Sequence, residues 1–246
     1  MGIKFKGKHP TFGRGKRASP TGNQEESHYY YWYQFLRRNE EYRACCANGG
    51  TGKLAWLYEK FGDVLNDNFK EWWTTDSRGF HLFSEERKPL QLKELDAPSE
   101  WDTAWSKEHA MVIVVPLDIP RRYLLGFFAR MLKQRHSGKR GRKSMSSKGG
   151  STAAFPFYRN VSVAVLKKQL EVYDAVIAKR RGENPRTLAK IGEDLKLVKH
   201  AMPHSRDDRD TAEDKRNVMS ASVSRLFRQA ERIVANTAKG EFPNSK

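Results

Sequence analysis

Side chains that can hydrogen-bond to base edges or phosphates recur over a short stretch in the last quarter of the sequence. They are arginine, asparagine and serine residues: Arg216, Asn217, Ser220, Ser224, Arg225 and Arg228. Apolar residues lie between them at helical spacing, so we predict one helix that presents these polar groups outward. Its inward stripe is expected to consist of Val218, Met219, Val223, Leu226, Ala230 and Ile233. The pattern alone is equally compatible with the solvated face of a helical bundle.

A short helix-forming segment precedes this stretch and has the composition of a helix-turn-helix module. In residues 188–191, Leu-Ala-Lys-Ile, the small Ala189 lies between aliphatic residues and would let a second helix approach closely. Arg186 and Lys190 add basic side chains, and we include them among the candidate nucleic-acid contacts. About a dozen residues separate the two helices, which is longer than the tight turn of the motif.

The net charge of +17 is concentrated in two segments. Residues 1–24 contain six basic residues and residues 119–148 contain ten, with no acidic residue in either segment. The segment 25–118 is instead acidic, at −6. Charge packed into acid-free segments is typical of contact with a polyanion. We expect four cations of a Gly/Ser-rich stretch to contact phosphates whatever the base sequence: Lys139, Arg140, Arg142 and Lys143.

Catalytic and metal-binding patterns are weak by comparison. Asp76, Glu86 and Lys88 loosely match a nuclease arrangement in which two acids hold a metal ion and a lysine helps to activate water. Because such short patterns recur by chance, a metal-dependent nuclease is kept only as an alternative. Residues 47–53 lack essential positions of a phosphate-binding loop, and the seven histidines show no metal-ligand spacing. We therefore expect no cofactor, no bound metal and no enzymatic activity.

The elements that must position these residues follow from hydrophobic periodicity. Apolar residues at helical spacing predict helices over 28–42, 53–61, 66–73, 120–136, 163–181, 185–197 and 211–238. Residues 80–83 have a strand-like pattern, and the β-branched run 110–117 is typical of a buried strand. The aromatic residues from Tyr29 to Tyr42 are expected to form core or a protein-contact face. A stacking surface for single-stranded nucleic acid is the weaker interpretation of these aromatics.

Composition divides the chain into four parts and predicts an α+β, mainly α, fold. Residues 1–26 predict a disordered basic arm, 27–136 an acidic aromatic α/β module, 137–157 a flexible basic linker and 158–243 a helical, helix-turn-helix-like module that binds DNA. The only two cysteines are adjacent, which excludes a disulfide framework. No apolar run approaches the ~20 residues of a transmembrane helix.

Two stretches of the sequence resemble a known family. Residues 32–43, Trp-Tyr-Gln-Phe-Leu-Arg-Arg-Asn-Glu-Glu-Tyr-Arg, followed by 80–85, resemble the N-terminal W-x-F-L-R-R-N-x-x-Y segment of small proteobacterial transcriptional-regulator-like proteins. Residues 112–121, and then 170–174 and 188–192, are similar in order to the companion C-terminal domain of unknown function in that family. The resemblance implies DNA binding through a helix-turn-helix and an association with mobile elements and plasmids.

These observations favour a non-enzymatic, sequence-specific DNA-binding protein, either a transcriptional regulator or an accessory factor of a mobile element. Duplex DNA is the expected ligand, and RNA or single strands are alternatives. We expect the 27–136 module to contact another protein or a second copy of the chain. We expect no membrane contact, and a cytoplasmic, nucleoid-associated location. The alternative class is a non-catalytic subunit of an RNA-guided or recombination complex that binds RNA or single-stranded DNA.

Overall fold

The computed structural model of the chain describes residues 3–12, 24–86, 99, 113–135, 151 and 153–246. The chain divides into two compact units, a larger one of Ile3–Glu85 with Ser144–Lys246 and a smaller one of Met1–Gly2 with Glu86–Lys143. The described residues are mainly helical, in agreement with the predicted fold class. A two-stranded sheet pairs β1 (Ile3–Phe5) with β2 (Ser84–Glu86).

The helices of the described residues are named in chain order. They are α1 (His28–Leu36), α2 (Glu40–Ala47), α3 (Ala55–Phe61), α4 (Phe69–Thr74), α5 (Arg78–Phe83), α6 (Arg121–Arg135), α7 (Val163–Arg180), α8 (Leu188–Asp194) and α9 (Arg209–Thr237). Helix α6 belongs to the smaller unit, and the other helices belong to the larger unit.

The helix predicted over 28–42 is interrupted at Asn39. Ser27 begins α1 as predicted, because its hydroxyl accepts a hydrogen bond from the Tyr29 amide at 3.3 Å. Asn39 then adopts an extended backbone, and its side-chain oxygen accepts from the Tyr42 amide at 2.8 Å. Asparagine is one of the strongest N-capping residues, and two glutamates in the following turn favour the positive end of the helix dipole. The prediction of one continuous helix is therefore wrong here.

Aromatic side chains of α1 form the centre of the larger unit. Tyr29, Trp32 and Phe35 are essentially fully buried. The ring centroid of Trp32 lies 5.1 Å from that of Phe83 and 5.1 Å from that of Phe242. These separations are in the range of favourable aromatic pairs. The aromatics of this helix therefore form core, which is one of the two roles expected for them.

The same core is completed by residues from the C-terminal half of the chain. Leu166 of α7, Ile233 of α9 and Phe242 are buried in one cluster with the aromatics of α1. The apolar face of α1 is thus covered by α7 and α9 rather than by its sequence neighbours alone. The boundaries predicted for separate modules, 27–136 and 158–243, therefore do not describe how the chain packs.

Residues 80–83, predicted as strand-like, lie in helix α5. Gly79, Leu82 and Phe83 are buried, and their i, i+3, i+4 spacing is that of a helix face. A β-carbon on Gly79 would lie 2.3 Å from the Trp73 ring. Glycine therefore lets this short helix pack directly against the indole, which the alternation of residues 80–83 does not reveal.

Residues 3–12 pack against the core, although they fall within the segment 1–26 predicted as a disordered arm. Phe5 is half-buried against the core cluster. The ammonium of Lys6 lies 3.3 Å from the carboxylate of Glu85, and both side chains are largely sheltered from solvent. The apolar contact and the sheltered ion pair explain why this part of the segment is structured.

In the smaller unit, the described residues of the run 110–117 form no strand. Val114 is 89% exposed and Leu117 is 91% exposed. A buried strand needs neighbours on both sides, and the described residues of this unit include no other strand that could pair with it. The helix predicted to begin after Pro120 is confirmed as α6.

The helices predicted in the C-terminal third are confirmed, and polar side chains set their starts. Ser162 caps α7, Thr187 caps α8 and Asp208 caps α9, each accepting from an amide of the first turn. Helix α8 is shorter than the predicted span 185–197, because Thr187 sets its start and Lys196 follows its end with a φ of +49°.

Candidate nucleic-acid interface

Helices α8 and α9 pack closely through small residues. Ala189 is buried in a cluster with Ala201 and Met219, in agreement with the close contact predicted for it. The tightest approach is at Gly192, where a β-carbon would lie 2.5 Å from Cγ of Met219 and 3.1 Å from Cγ2 of Val223. The sequence pattern does not single out Gly192, although a glycine inside a short helix often has a packing role.

The inward face of α9 agrees largely with the predicted stripe. Four predicted residues are buried: Met219, Val223, Ala230 and Ile233. Leu226 is half-buried, and Val218 is 42% exposed, in contrast to the prediction. Val218 lies about 100° around the helix axis from the buried Met219, so its side chain lies beside the buried face of α9 and not on it. Phe227 is buried but absent from the predicted stripe, which took the adjacent Leu226 as the inward residue of this turn.

The polar residues predicted on α9 do not all share one face. Asn217, Arg225 and Arg228 are exposed. Helical geometry places Asn217 and Arg228 within about 20° of each other around the axis, and Arg225 about 60° further round. Arg216 is also exposed, but it lies about 180° from Arg225. A single nucleic-acid groove can therefore meet the first three residues together, whereas Arg216 faces another side of the helix.

The two serines of the predicted set are partly sheltered, and one of them is bonded within its own helix. Ser220 and Ser224 are half-buried. The Ser224 hydroxyl donates to the Ser220 carbonyl at 2.9 Å, and Nε of Arg228 donates to the Ser224 carbonyl at 3.3 Å. Bonds of this kind satisfy the hydroxyl within the helix. The arginine keeps its terminal nitrogens, so Arg228 is the better candidate contact.

The cations predicted on and beside α8 are held in local ion pairs. The Arg186 guanidinium lies 3.1 Å from the Asp194 carboxylate, and the Lys190 ammonium lies 3.3 Å from both Glu193 and Asp194. Hydrogen bonds to Asp194 and Glu193 raise the pKa of Lys190. These carboxylates offset much of the positive charge that α8 could present to a phosphate.

A groove between α7, α8 and α9 runs beside the polar face of α9 and has a volume of about 450 Å³. Apolar side chains form its floor: Val176, Leu188, Val223 and Phe227. Lys179, Arg180 and Arg228 supply positive charge along it. The Arg180 guanidinium lies 4.4 Å from the centroid of the Phe227 ring. The two cations from α7 were not predicted as contacts, although basic residues in the last turn of that helix are visible in the sequence.

The remaining candidate residues fall partly outside the described residues. The four linker cations, Lys139, Arg140, Arg142 and Lys143, lie outside them, so their contact with phosphates stays a prediction. Among the nuclease candidates, Asp76 is exposed with a φ of +50°, the backbone of Glu86 ends β2, and Lys88 lies outside the described residues.

Clusters of metal-binding side chains are absent from the described ranges. There, no three histidine, cysteine, aspartate or glutamate residues lie close enough together to hold a metal ion. Cys45 and Cys46 are buried free thiols. None of the helices described for this chain has both the length and the apolar character needed to cross a membrane.

The comparisons with known proteins gave no match: no family model, no curated protein and no solved structure is significantly similar to this chain.

Proposed function

We propose that the protein is a non-enzymatic, sequence-specific DNA-binding protein that uses the outward face of α9. The observation that carries this proposal is the exposure of Asn217, Arg225 and Arg228 on neighbouring positions of one helix. Arginine and asparagine recognise base edges through paired hydrogen bonds, and arginine also binds phosphates. A transcriptional regulator or an accessory factor of a mobile element, acting at the bacterial nucleoid, is the role that fits the sequence resemblance.

The charge around this face supports contact with a polyanion. Among the described residues, no carboxylate pairs with Arg225 or Arg228. The nearby Glu231 is held by Arg180 at 3.5 Å, which leaves the two α9 arginines uncompensated. Arg232 extends the exposed basic face by one further turn. The linker cations and the Lys/Arg-rich segment 1–24 would add contacts that carry no sequence information.

The short helix α8 and the longer α9 give this face the support that a helix-turn-helix needs. Gly192 and Ala189 let α8 lie close against α9, so the exposed side of α9 projects from a fixed helix pair. A recognition helix must protrude in this way to enter the major groove. The long connection between the two helices lies beyond α8 and leaves the helix contact intact.

The proposal is tested by replacing Arg225 and Arg228 with alanine in the full chain. Fluorescence anisotropy would measure binding to labelled duplex DNA selected from a random library, at several salt concentrations. We expect weaker binding, and a log–log salt slope smaller by about 0.9 for each of the two arginines that contacts a phosphate rather than a base. The matched control is Lys53→Ala with Lys70→Ala, which removes two exposed cations elsewhere in the larger unit.

Two results would contradict the proposal. Equal binding by the two double variants would mean that α9 does not carry the contact. If unlabelled RNA or single-stranded DNA competes more strongly than the selected duplex, the alternative is favoured, in which the protein is a subunit of a nucleoprotein complex.

A further inference from the structure

A second basic pocket lies on the side of α7 that faces α1 and α2. It has a volume of about 470 Å³. Four arginines line it: Arg37, Arg38, Arg43 and Arg181. Val64, Leu65 and Ile177 supply apolar surface, and Glu40 and Asp174 are its carboxylates. Its volume lies within the range of small-molecule sites, and no role assigned above uses it.

Two of the four arginines are fixed by the fold. Arg37 donates from Nε to the Val64 carbonyl at 2.9 Å and also pairs with Asp67. Arg38 makes a two-pronged contact with Asp174, each nitrogen–oxygen distance being 2.6 Å. The side-chain oxygen of the buried Gln34 accepts from both guanidinium groups. These contacts hold the wall of the pocket in place and commit both charges to protein partners.

The other two arginines have no such commitment. Arg43 lies on α2, and Arg181 caps the C-terminal end of α7. Both are exposed, and within the described residues neither takes part in an ion pair or a side-chain hydrogen bond. The pocket therefore combines two available guanidinium groups on separate helices with an apolar floor. The lining as a whole carries a net charge of +2, from its four arginines and two carboxylates.

We propose that this pocket binds a small phosphate monoester with an apolar or heteroaromatic body. The phosphate would lie between Arg43 and Arg181, because guanidinium groups match phosphate oxygens in planar, paired hydrogen bonds. The body of the ligand would lie against Val64, Leu65 and Ile177. The carboxylates of Glu40 and Asp174, which also line the pocket, disfavour the run of neighbouring phosphates that a nucleic-acid backbone would bring.

The pocket is distinct from the proposed DNA-binding face. Tyr173, Asp174 and Ile177 of α7 and its C-cap Arg181 belong to the pocket, whereas the groove beside α9 is lined by Val176, Lys179 and Arg180. The two sets are centred about 120° apart around the helix axis. Binding of a small ligand in the pocket can therefore be tested without reference to DNA.

The test uses isothermal titration calorimetry on the full chain with adenosine 5′-monophosphate and phenyl phosphate as probes. Adenosine and inorganic phosphate separate the contributions of the body and of the anion. We expect at least one of the two esters to bind, inorganic phosphate to bind more weakly at the same place, and adenosine more weakly still. Replacing Arg43 and Arg181 with alanine should weaken ester binding by about tenfold or more, as expected for loss of charged hydrogen bonds.

The control variant is again Lys53→Ala with Lys70→Ala, which has the same change in net charge. Both arginines are exposed, so the fold is expected to survive, and circular dichroism checks this. If the double variant is unfolded, Arg43→Ala and Arg181→Ala are measured singly, and each should weaken binding. The proposal is overturned if neither ester binds at millimolar concentration, if adenosine binds as well as its phosphate, or if the arginine variants bind like the control.

Discussion

At the scale of single residues, Gly192 shows how tightly the candidate interface is packed. A β-carbon there would lie 2.5 Å from Cγ of the fully buried Met219. Overpacking of this kind costs ~1–3 kcal/mol, and the better helix propensity of alanine returns about 1 kcal/mol. We expect Gly192→Ala to lower the free energy of unfolding by a net amount of up to ~2 kcal/mol, measured by urea denaturation.

Gly126 on α6 provides the matched control for this substitution. It is also a helical glycine, but no described atom lies within 4 Å of the position that a β-carbon would take there. Gly126→Ala should therefore cause no loss of stability. An equal change in the free energy of unfolding in the two variants would show that α8 and α9 can separate slightly at no cost.

His28 links the stability of the larger unit to pH. Its Nε2 is 2.8 Å from the Val161 carbonyl oxygen, and burial lowers the pKa of the imidazole below its ordinary value of 6.5, although the hydrogen bond to Val161 opposes this. Below pH 6.5 the unfolded chain therefore binds more protons than the folded chain. The stability that the neutral His28 imidazole contributes is fully present above pH 6.5. It is lost as the pH falls through the lowered pKa of this group in the folded state.

We expect His28→Gln to reduce this pH dependence. Glutamine can still donate a hydrogen bond to the Val161 carbonyl, but it does not titrate. Urea denaturation of both proteins at pH 7.5 and about pH 5.5 measures the difference, since the unperturbed histidine pKa lies between these values. The wild-type chain should lose more stability than the variant between the two conditions. An equal loss in both proteins would assign the pH dependence to other groups.

At the scale of elements, α9 carries the prediction about sequence recognition. Asn217 and Arg225 lie about 80° apart around its axis and about 12 Å apart along it, so both can reach one major groove. Asn217→Ala and Arg225→Ala should each reduce the preference for the selected duplex over random DNA by ~1–3 kcal/mol. Competition binding with the two duplexes measures this preference. A loss that is equal on both duplexes would identify these residues as phosphate contacts.

The elements also show where the sequence is sufficient to predict the fold. Helices α7 and α9 are predictable because each has several turns of apolar periodicity and a clear capping residue. The break at Asn39 is not, because residues 37–41 contain no glycine or proline that would mark it, and only the cap geometry distinguishes two helices from one. The strand prediction for residues 80–83 is wrong because four residues are too few to separate a period of two from one of 3.6.

The candidate site is predicted less completely than the helix that carries it. The choice of polar residues on α9 depends on residue type. Their positions around the helix axis separate Arg216 from the others, and a hydrogen bond to the Ser220 carbonyl occupies the Ser224 hydroxyl. Contributions from other elements, such as Lys179 and Arg180, depend on tertiary packing that leaves no pattern within one segment. The pocket around Arg43 and Arg181 joins residues far apart in the chain and escapes prediction for the same reason.

At the scale of the whole molecule, the shared core predicts that both halves of the larger unit unfold together. Phe242 is fully buried, and its ring centroid lies 5.1 Å from that of Trp32. Phe242→Ala should cost ~3–5 kcal/mol. Tryptophan fluorescence and helical circular dichroism should report the same lowered denaturation midpoint, because the aromatics of α1 and the helices α7 and α9 share one core.

The control for this variant is Phe127→Ala, which makes the same change at a residue that is 55% exposed. Its effect should stay within about 0.5 kcal/mol. The contrary result would be two separate unfolding transitions in the wild-type chain, with Phe242→Ala affecting only the one that reports on α7 and α9. It would show that the two halves fold as independent modules.

The way in which late residues complete an early core has a consequence during protein synthesis. Phe242 follows Phe83 by 159 residues in the chain. At ~5–20 residues per second, the ribosome therefore needs roughly 8–32 s to supply this aromatic ring after the helices around Trp32 have been made. During that interval the aromatics of α1 lack part of their cover, and such surfaces bind chaperones or associate with each other. Conditions that slow elongation are therefore expected to increase the share of newly made chains that aggregate.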